Sequence, residues 1–358
     1  MSEKIDLYSM TDRELADFFV SIGEPKFRAK QLFSELHRGK SIEDITTLSK
    51  SLRGKLREMS LDTLPKIELK LTSKIDGTVK YLFKLHDGAV IESVLMRYKH
   101  GNTLCISSQV GCLMGCKFCA STIGGKVRDL LPSELLGQVI TASVDSGERV
   151  SNIVMMGIGE PLDNFDNVVK FLALVNHEGG LNIGYRHISL STCGIVPKIY
   201  ELAELDLPIT LSISLHASSD EVRSAIMPIN KKWNITELLT SCVDYYKKTG
   251  RRISFEYTLI SGKNDTPADA EALANVLRAA FKGSGAPIHV NLIRVNEVKE
   301  TGFREGSVES ANAFAKVLEK FGIVATVRRR LGADVNAACG QLRRSREKGD
   351  KRGLAFDN

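Results

Sequence analysis

The chain has 358 residues, of which 43% are hydrophobic and 26% charged, and its formal net charge is +6. This composition is typical of a folded globular protein that is large enough for one main core and a small accessory domain. The chain contains no run of about 18 apolar residues and no apolar N-terminal signal segment, so we expect no membrane span and predict a cytoplasmic protein.

Cysteine content and charge distribution both point to function. Seven cysteines in a compartment that keeps thiols reduced indicate metal binding or catalysis rather than a disulfide framework. The positive charge is concentrated in 328–352, which contains nine Lys or Arg and three acidic residues, an excess equal to that of the whole chain. Such a segment suits a polyanion such as RNA, and a solvated tail is the alternative interpretation.

The first 60 residues have the pattern of helices. Apolar side chains recur there at helical spacing, as at Leu15, Phe18 and Phe19. We therefore predict a small helical accessory domain over 1–60, and we expect it to bind RNA together with the basic tail.

A short β-like region follows the helices. Two runs, 66–71 and 79–85, have strand character, and a third begins at Val90. We predict a β-like linker segment over 61–98.

Strands and helices alternate regularly over 99–330. The predicted strands are 103–107, 152–157, 187–191, 209–215, 253–260, 288–293 and 324–328. The predicted helices lie near 133–145, 164–176, 197–205, 235–249, 268–281 and 308–321. This alternation predicts parallel strands with right-handed crossovers, and six units with a final strand are too few for a complete eightfold barrel. The fold class is therefore α/β, a partial (β/α)6 barrel, with a loop and a basic tail over 331–358. In such folds the chemistry lies at the C-terminal ends of the strands.

Three cysteines follow the first barrel strand in the pattern C-x3-C-x2-C, as Cys112, Cys116 and Cys119. Three thiolates in one loop can hold three irons of a [4Fe–4S] cluster. The fourth iron can then bind the amino and carboxylate groups of S-adenosylmethionine (SAM) and cleave it to a 5′-deoxyadenosyl radical. A structural zinc site is the alternative, with His100 or Cys105 as the fourth ligand.

The wider sequence resembles the RlmN family of radical SAM dual-specificity RNA methyltransferases. The motifs that carry the resemblance are EPKFRAKQ at 24–31, CISSQVGC at 105–112, MGIGEPLDN at 156–164, LSTCG at 190–194 and AACGQL at 337–342. The resemblance covers nearly the whole chain. The chain departs from the family at Asn336, where Asp is usual, and at Ile158, where Met is common.

The resemblance also implies particular site residues. It assigns SAM binding to Gly159, Glu160, Ser191, Ser214, Leu215, His216 and Asn296, and the cluster to the three cysteines. Each predicted SAM residue lies at or just beyond the end of a predicted strand. Without the resemblance, G-x-G-E-P is an ordinary turn and His216 an ordinary loop histidine.

Two further cysteines, Cys105 and Cys339, are catalytic if the resemblance holds. The adenine C2 carbon is electron-poor and cannot attack the methyl group of SAM. In the family's chemistry one SAM methylates Cys339, and a radical made from a second SAM takes hydrogen from that methyl group. The carbon radical then adds to adenine. Cys105 resolves the adduct through a Cys105–Cys339 disulfide, and Glu92 or Cys105 removes the ring proton. Without the resemblance, Glu92 would be a solvent-facing strand residue, and we interpret Cys193 and Cys242 as small buried hydrophobic residues.

The implied function is methylation of adenosine C2 in 23S rRNA at the peptidyl-transferase centre, and of adenosine 37 in some tRNAs. The cofactors would be a [4Fe–4S] cluster and two SAM molecules per turnover, with an electron donor such as flavodoxin or ferredoxin, and the protein would be a monomer. One alternative is methylation of C8, as in the related antibiotic-resistance enzymes. A more distant alternative is a non-catalytic RNA-binding protein that contains zinc.

Overall fold

The structure is a computed structural model that describes residues 4–296, 302–335 and 337. The chain begins with three helices, α1 (Asp12–Ser21), α2 (Lys26–His37) and α3 (Lys50–Met59), as the sequence predicts. α1 starts at a capping box, in which Thr11 Oγ1 accepts from the Glu14 N–H (3.2 Å) and the Glu14 carboxylate accepts from the Thr11 N–H (2.8 Å). The apolar stripe of α1, with Leu15 and Phe19, is fully buried.

Three antiparallel strands follow, β1 (Lys66–Thr72), β2 (Val79–Lys84) and β3 (Val90–Tyr98), and β3 pairs antiparallel with β4 (Gly101–Cys105). The β-like segment predicted over 61–98 contains the first three of these strands. Its strands belong to the main sheet, because β2 and β3 are almost entirely buried and β3 bonds directly to the first barrel strand.

A small hairpin of β5 (Gln109–Gly111) and β6 (Lys126–Asp129) then encloses the cysteine loop. The remaining strands alternate with helices along the chain. The strands are β7 (Val150–Met155), β8 (Ile188–Thr192), β9 (Thr210–Ser214), β10 (Ile253–Leu259), β11 (Ile288–Arg294) and β12 (Val324–Val327). The helices are α4 (Pro132–Ser146), α5 (Phe165–Asn176), α6 (Val196–Glu204), α7 (Asp220–Ile226), α8 (Ile235–Thr249), α9 (Pro267–Ala280) and α10 (Val308–Lys320).

Within the described residues, the main sheet has ten strands in the order β1-β2-β3-β4-β7-β8-β9-β10-β11-β12. The pairs from β4 to β12 are all parallel, which confirms the predicted α/β alternation. Each of the seven predicted barrel strands and six predicted helices is present. The hairpin β5–β6 and the seven-residue α7 were not predicted, because elements this short carry little periodicity.

The N-terminal helices pack against α4 and α5 through polar and aromatic contacts. Ser133 Oγ donates to Asp6 Oδ2 (2.7 Å), and Lys170 pairs with Glu14 (2.8 Å). The ring of Phe33 lies edge-on to His177, 4.7 Å away. Over the described ranges, no helix is long and apolar enough to cross a membrane.

Candidate active site

One cavity is lined by residues that lie in the C-terminal halves of β7 through β11 or just beyond the ends of β7 through β12. Because all six strands contribute to a single cavity, the sheet curls around it as a partial barrel. The lining includes all three motif cysteines and six of the seven predicted SAM residues, namely Gly159, Glu160, Ser191, Ser214, His216 and Asn296. Leu215 is the exception, since its side chain is fully buried in the main core.

The cysteine loop is held in place by hydrogen bonds that involve its backbone. The Lys117 N–H donates to the Ile226 carbonyl (2.9 Å), and Thr122 Oγ1 donates to the Cys119 carbonyl (2.9 Å). At Gly111 φ is +80°, and a Cβ would lie 1.9 Å from the Gly125 carbonyl oxygen, so only glycine fits where the hairpin closes the loop.

The thiols of this loop fit the donor set of a cluster with one open iron. Burial raises the pKa of Cys112 to about 12 and that of Cys116 well above its ordinary range, and the neighbouring cysteines add to both shifts. Iron binding displaces such protons, because the thiolate is the ligand. Among the described residues, no three His, Cys, Asp or Glu side chains are arranged to hold a single ion. Cysteine sulfurs that each bound a different iron of a cluster would not need to converge on one point.

The G-I-G-E-P turn after β7 presents a buried carboxylate. Gly159 has φ +107°, and a Cβ there would lie 2.7 Å from the Gln109 backbone nitrogen. Glu160 Oε2 accepts from the Cys193 N–H (2.7 Å), and Oε1 accepts from the Leu162 N–H (3.0 Å). Burial raises the pKa of the Glu160 carboxyl, so a cationic partner such as the ammonium of SAM would stabilise its ionised form.

Arg223 on α7 joins the ends of β8 and β9 through hydrogen bonds to their carbonyls. Its guanidinium donates to the carbonyls of Cys193 (2.7 Å), Ser214 (3.1 Å) and Leu215 (3.1 Å). Nearby, His216 has φ +58°, and its Nδ1 accepts from the Thr258 N–H (2.9 Å). Burial, with the Arg223 charge, lowers the pKa of His216 to about 3, so the ring is neutral and carries its proton on Nε2.

A second cavity adjoins the first, and Cys105 lines it. Met156, Ile293, Asn296 and Arg328 line both cavities and form the boundary between them. Arg294 and Arg330 flank the second cavity, and both pair with Glu305, at 3.1 and 3.2 Å. Cys339, the other predicted catalytic cysteine, lies outside the described residues.

Glu92 lies on the same face of the sheet as Cys105. The register pairs Val94 with Cys105, and Glu92 is two residues from Val94 on β3, so all three side chains point the same way. Glu92 is 6% exposed, so the alternative of a solvent-facing position is wrong. Its carboxylate forms an ion pair with Lys80 on β2 (3.1 Å).

Reasoning from sequence missed two residues of this site, one that lines the cavity and one that supports it. Glu256 on β10 points into it and accepts from Asn291 Nδ2 (2.7 Å), and burial raises the pKa of its carboxyl. A single acid within the apolar run of β10 was a usable signal. No local sequence pattern marked Arg223 as part of the site. Cys193 is buried as interpreted and also lines the cavity, whereas Cys242 is fully buried in the main core.

Two family models match the chain. The Radical SAM superfamily model matches residues 106–275, and the model described as the ribosomal RNA large subunit methyltransferase N-terminal domain matches residues 5–61. The crystal structure of a radical SAM methyltransferase from Sphaerobacter thermophilus superimposes with a TM-score of 0.90 at 40% identity, covering 94% of this chain and 99% of that one. The fold and the cysteine loop are thus those of a radical SAM enzyme.

Full-length relatives identify the family. The probable dual-specificity RNA methyltransferase RlmN of Alkaliphilus oremlandii (strain OhILAs) is 54% identical over 96% of this chain and 98% of its own length. The protein of the same description from Clostridium perfringens (strain 13 / Type A) is 51% identical over 95% and 97%. The chain belongs to the RlmN family of radical SAM RNA methyltransferases. The predicted resemblance is confirmed, and membership implies a [4Fe–4S] cluster and two SAM molecules per turnover.

Proposed function

We propose that this enzyme methylates C2 of an adenosine in 23S rRNA at the peptidyl-transferase centre, and adenosine 37 in some tRNAs. The observation that carries the proposal is the pair of adjoining cavities. One collects the three cysteines and the polar strand ends, and the other contains Cys105. Full-length relatives with the RlmN description support the choice of RNA substrates.

In this proposal the first cavity holds the cluster and SAM. Cys112, Cys116 and Cys119 would hold three irons, and Glu160 would accept from the amino group of SAM. Ser191, Ser214, His216 and Asn296 supply the remaining polar contacts, and the backbone at Leu215 supports them. When bound, the cluster and SAM would supply a 5′-deoxyadenosyl radical, which would take hydrogen from the methyl group carried by Cys339. The neutral His216 can donate from Nε2 without adding charge to the cavity.

The second cavity would receive the adenine ring. Cys339 would carry the methyl group that becomes the new carbon substituent, and Glu92 would accept the proton that leaves the ring. The radical adduct would also give up one electron, for which the oxidised cluster would be the acceptor. The Cys105 thiolate would then attack the sulfur of Cys339, so that the bond from this sulfur to the methylene carbon breaks and a disulfide forms. The released carbon would take up a proton and become the methyl group of the RNA. The burial of both Glu92 and Cys105 on one face of adjacent strands supports these roles.

The wider surroundings are also part of the proposal. The helical domain over 1–60 and the basic segment 328–352 would contact RNA phosphates, which fix position rather than sequence. A flavodoxin or ferredoxin would supply the electron. We propose a monomer that works in the cytoplasm, where ribosomal and transfer RNA are found.

The test is anaerobic reconstitution with iron and sulfide, incubation with SAM, a reductant and 23S rRNA fragments, and mass analysis of the nucleosides. We expect 2-methyladenosine. Formation of 8-methyladenosine would keep the two-cysteine chemistry and overturn the assignment to C2. Absence of both products, with the cluster intact and SAM cleaved, would overturn the proposed function.

A further inference from the structure

We propose that Lys80 is a positioning residue for the reaction: it holds the Glu92 carboxylate ionised and aimed at the adenine that Cys105 releases. This inference rests on the proposed function, because it assumes that Glu92 accepts the ring proton. Lys80 lies between the two matched domains, in a part of the chain that neither family model covers.

The register of three neighbouring strands brings the residues together. Lys80 on β2 is directly opposite Val94 on β3, and Val94 is directly opposite Cys105 on β4. Directly opposed residues of an antiparallel pair share a face, so the Lys80, Val94 and Cys105 side chains form one row across the sheet. Glu92 lies in the next row, and the Lys80 ammonium reaches diagonally to its carboxylate at 3.1 Å.

Burial makes this ion pair consequential. The side chains of Lys80 and Glu92 are only 9% and 7% exposed, so water screens neither charge. An unpaired buried carboxylate retains its proton, whereas a cation in contact favours the charged form. A group that must accept a proton has to be ionised when the adduct forms. Lys80 meets that requirement and also fixes the direction of the carboxylate.

Other charged groups also lie near this face. Lys84 is at the end of β2 on the same face, but it is exposed. Arg328, Arg329 and Arg330 line the adjoining cavity beside Cys105. From the segment that packs over this face, Asp334 is directed elsewhere, since its carboxylate accepts from the Lys74 N–H (2.9 Å).

The experiment compares single-turnover release of RNA from the covalent adduct across pH 6 to 9. Lys80→Gln removes the charge while keeping a hydrogen-bond donor, and Lys80→Arg restores the charge. Lys84→Met is the matched control on the same strand and face. For Lys80→Gln we expect slower RNA release, so that the covalent adduct accumulates and is seen on denaturing gels. The acid limb of the pH profile of release should move to higher pH by about one unit or more. The arginine variant and the control should retain the wild-type profile.

A second measurement separates a misplaced carboxylate from a damaged fold. SAM affinity, measured by equilibrium binding to the reconstituted protein, should be unchanged in Lys80→Gln, because Lys80 does not line the SAM cavity. An unshifted pH profile, or equal loss of release at every pH, would overturn the inference while wild-type methylation still supports the function. If wild type forms no methyladenosine, the proposed function fails and this inference fails with it.

Discussion

Arg223 is a fully buried cation whose partners are mostly backbone carbonyls. It bonds to the ends of β8 and β9 and to Asn230 Oδ1 (2.9 Å), so one side chain sets the spacing of two strand ends beside the SAM cavity. Burial lowers the pKa of its guanidinium, yet the group stays charged near neutrality because arginine starts so high.

Arg223→Met should therefore destabilise the enzyme strongly. Each buried carbonyl left without a donor costs about 1–3 kcal/mol, so we expect the free energy of unfolding to fall by about 3–5 kcal/mol. Anaerobic denaturant unfolding measures the change. Arg278→Met, at an exposed position on α9, is the control and should stay close to wild type. A small loss for Arg223→Met would show that water replaces the guanidinium.

Cys105→Ala should arrest the reaction after carbon–carbon bond formation. Without the Cys105 thiol, nothing attacks the sulfur of Cys339, so the protein should remain covalently joined to RNA. Denaturing gels with labelled RNA detect the adduct, and Cys242→Ala, in the core of α8, is the control that should turn over. Normal turnover by Cys105→Ala would refute the role of this thiol.

At the residue scale, the sequence is most informative where the chemistry depends on local spacing. Cys112, Cys116 and Cys119 share one loop, so their pattern alone indicated a cluster. Glu92 was different, because an acid in a strand is usually exposed and its burial depends on packing against other parts of the fold. Arg223 is recruited by carbonyls of residues up to 30 positions away, which no local pattern encodes.

At the element scale, the turn after β7 depends on backbone that only glycine allows. Gly159→Ala combines a φ of +107° with a Cβ only 2.7 Å from backbone nitrogen of Gln109. We expect a loss of at least about 2 kcal/mol in unfolding free energy, and loss of SAM binding, because the turn must shift. Gly250→Ala is the matched control, since its φ is +62° and no atom lies within 4 Å. It should cost only about 1 kcal/mol and bind SAM normally.

Strands of the barrel were predictable because buried parallel strands are short apolar runs bounded by polar residues.

The region 61–98 was harder to predict from the sequence. Strand β2 is buried at five of its six positions, including Lys80, so its sequence lacks the alternation of a one-sided strand. Nothing in the sequence alone shows that β3 pairs with β4 at the edge of the barrel, because strand pairing is determined by the tertiary structure. The boundaries of the domains remain predictions.

At the scale of the whole molecule, the N-terminal helices dock through a buried histidine. His37 on α2 stacks on Phe33 at 4.1 Å, and its Nδ1 has no hydrogen-bond partner within the described part of the chain. Burial, with the nearby His177, lowers the pKa of His37 to about 4. The unfolded chain, with a pKa near 6.5, therefore binds a proton that the folded protein rejects as pH falls.

His37→Leu should accordingly reduce the acid sensitivity of the fold. Between pH 7.5 and 5.5, this histidine alone removes roughly 1 kcal/mol of stability, because the unfolded state gains the proton. Anaerobic unfolding at both pH values should show a smaller difference for His37→Leu than for wild type. His187→Leu, at an exposed position, should leave the difference unchanged. Equal pH dependence in all three proteins would mean that His37 is protonated in the folded state.

The group formed by Lys80, Glu92 and Cys105 differs from the SAM cavity in how far apart its residues lie along the chain. Lys80, Glu92 and Cys105 come from consecutive antiparallel strands, with neighbours only 12 or 13 positions apart. The SAM cavity needs residues from Cys112 to Arg328. Local contacts close faster than distant ones. Strands β2, β3 and β4 should therefore assemble early, while the ribosome is still extending the chain. They would then present a preformed sheet edge on which the parallel barrel is built.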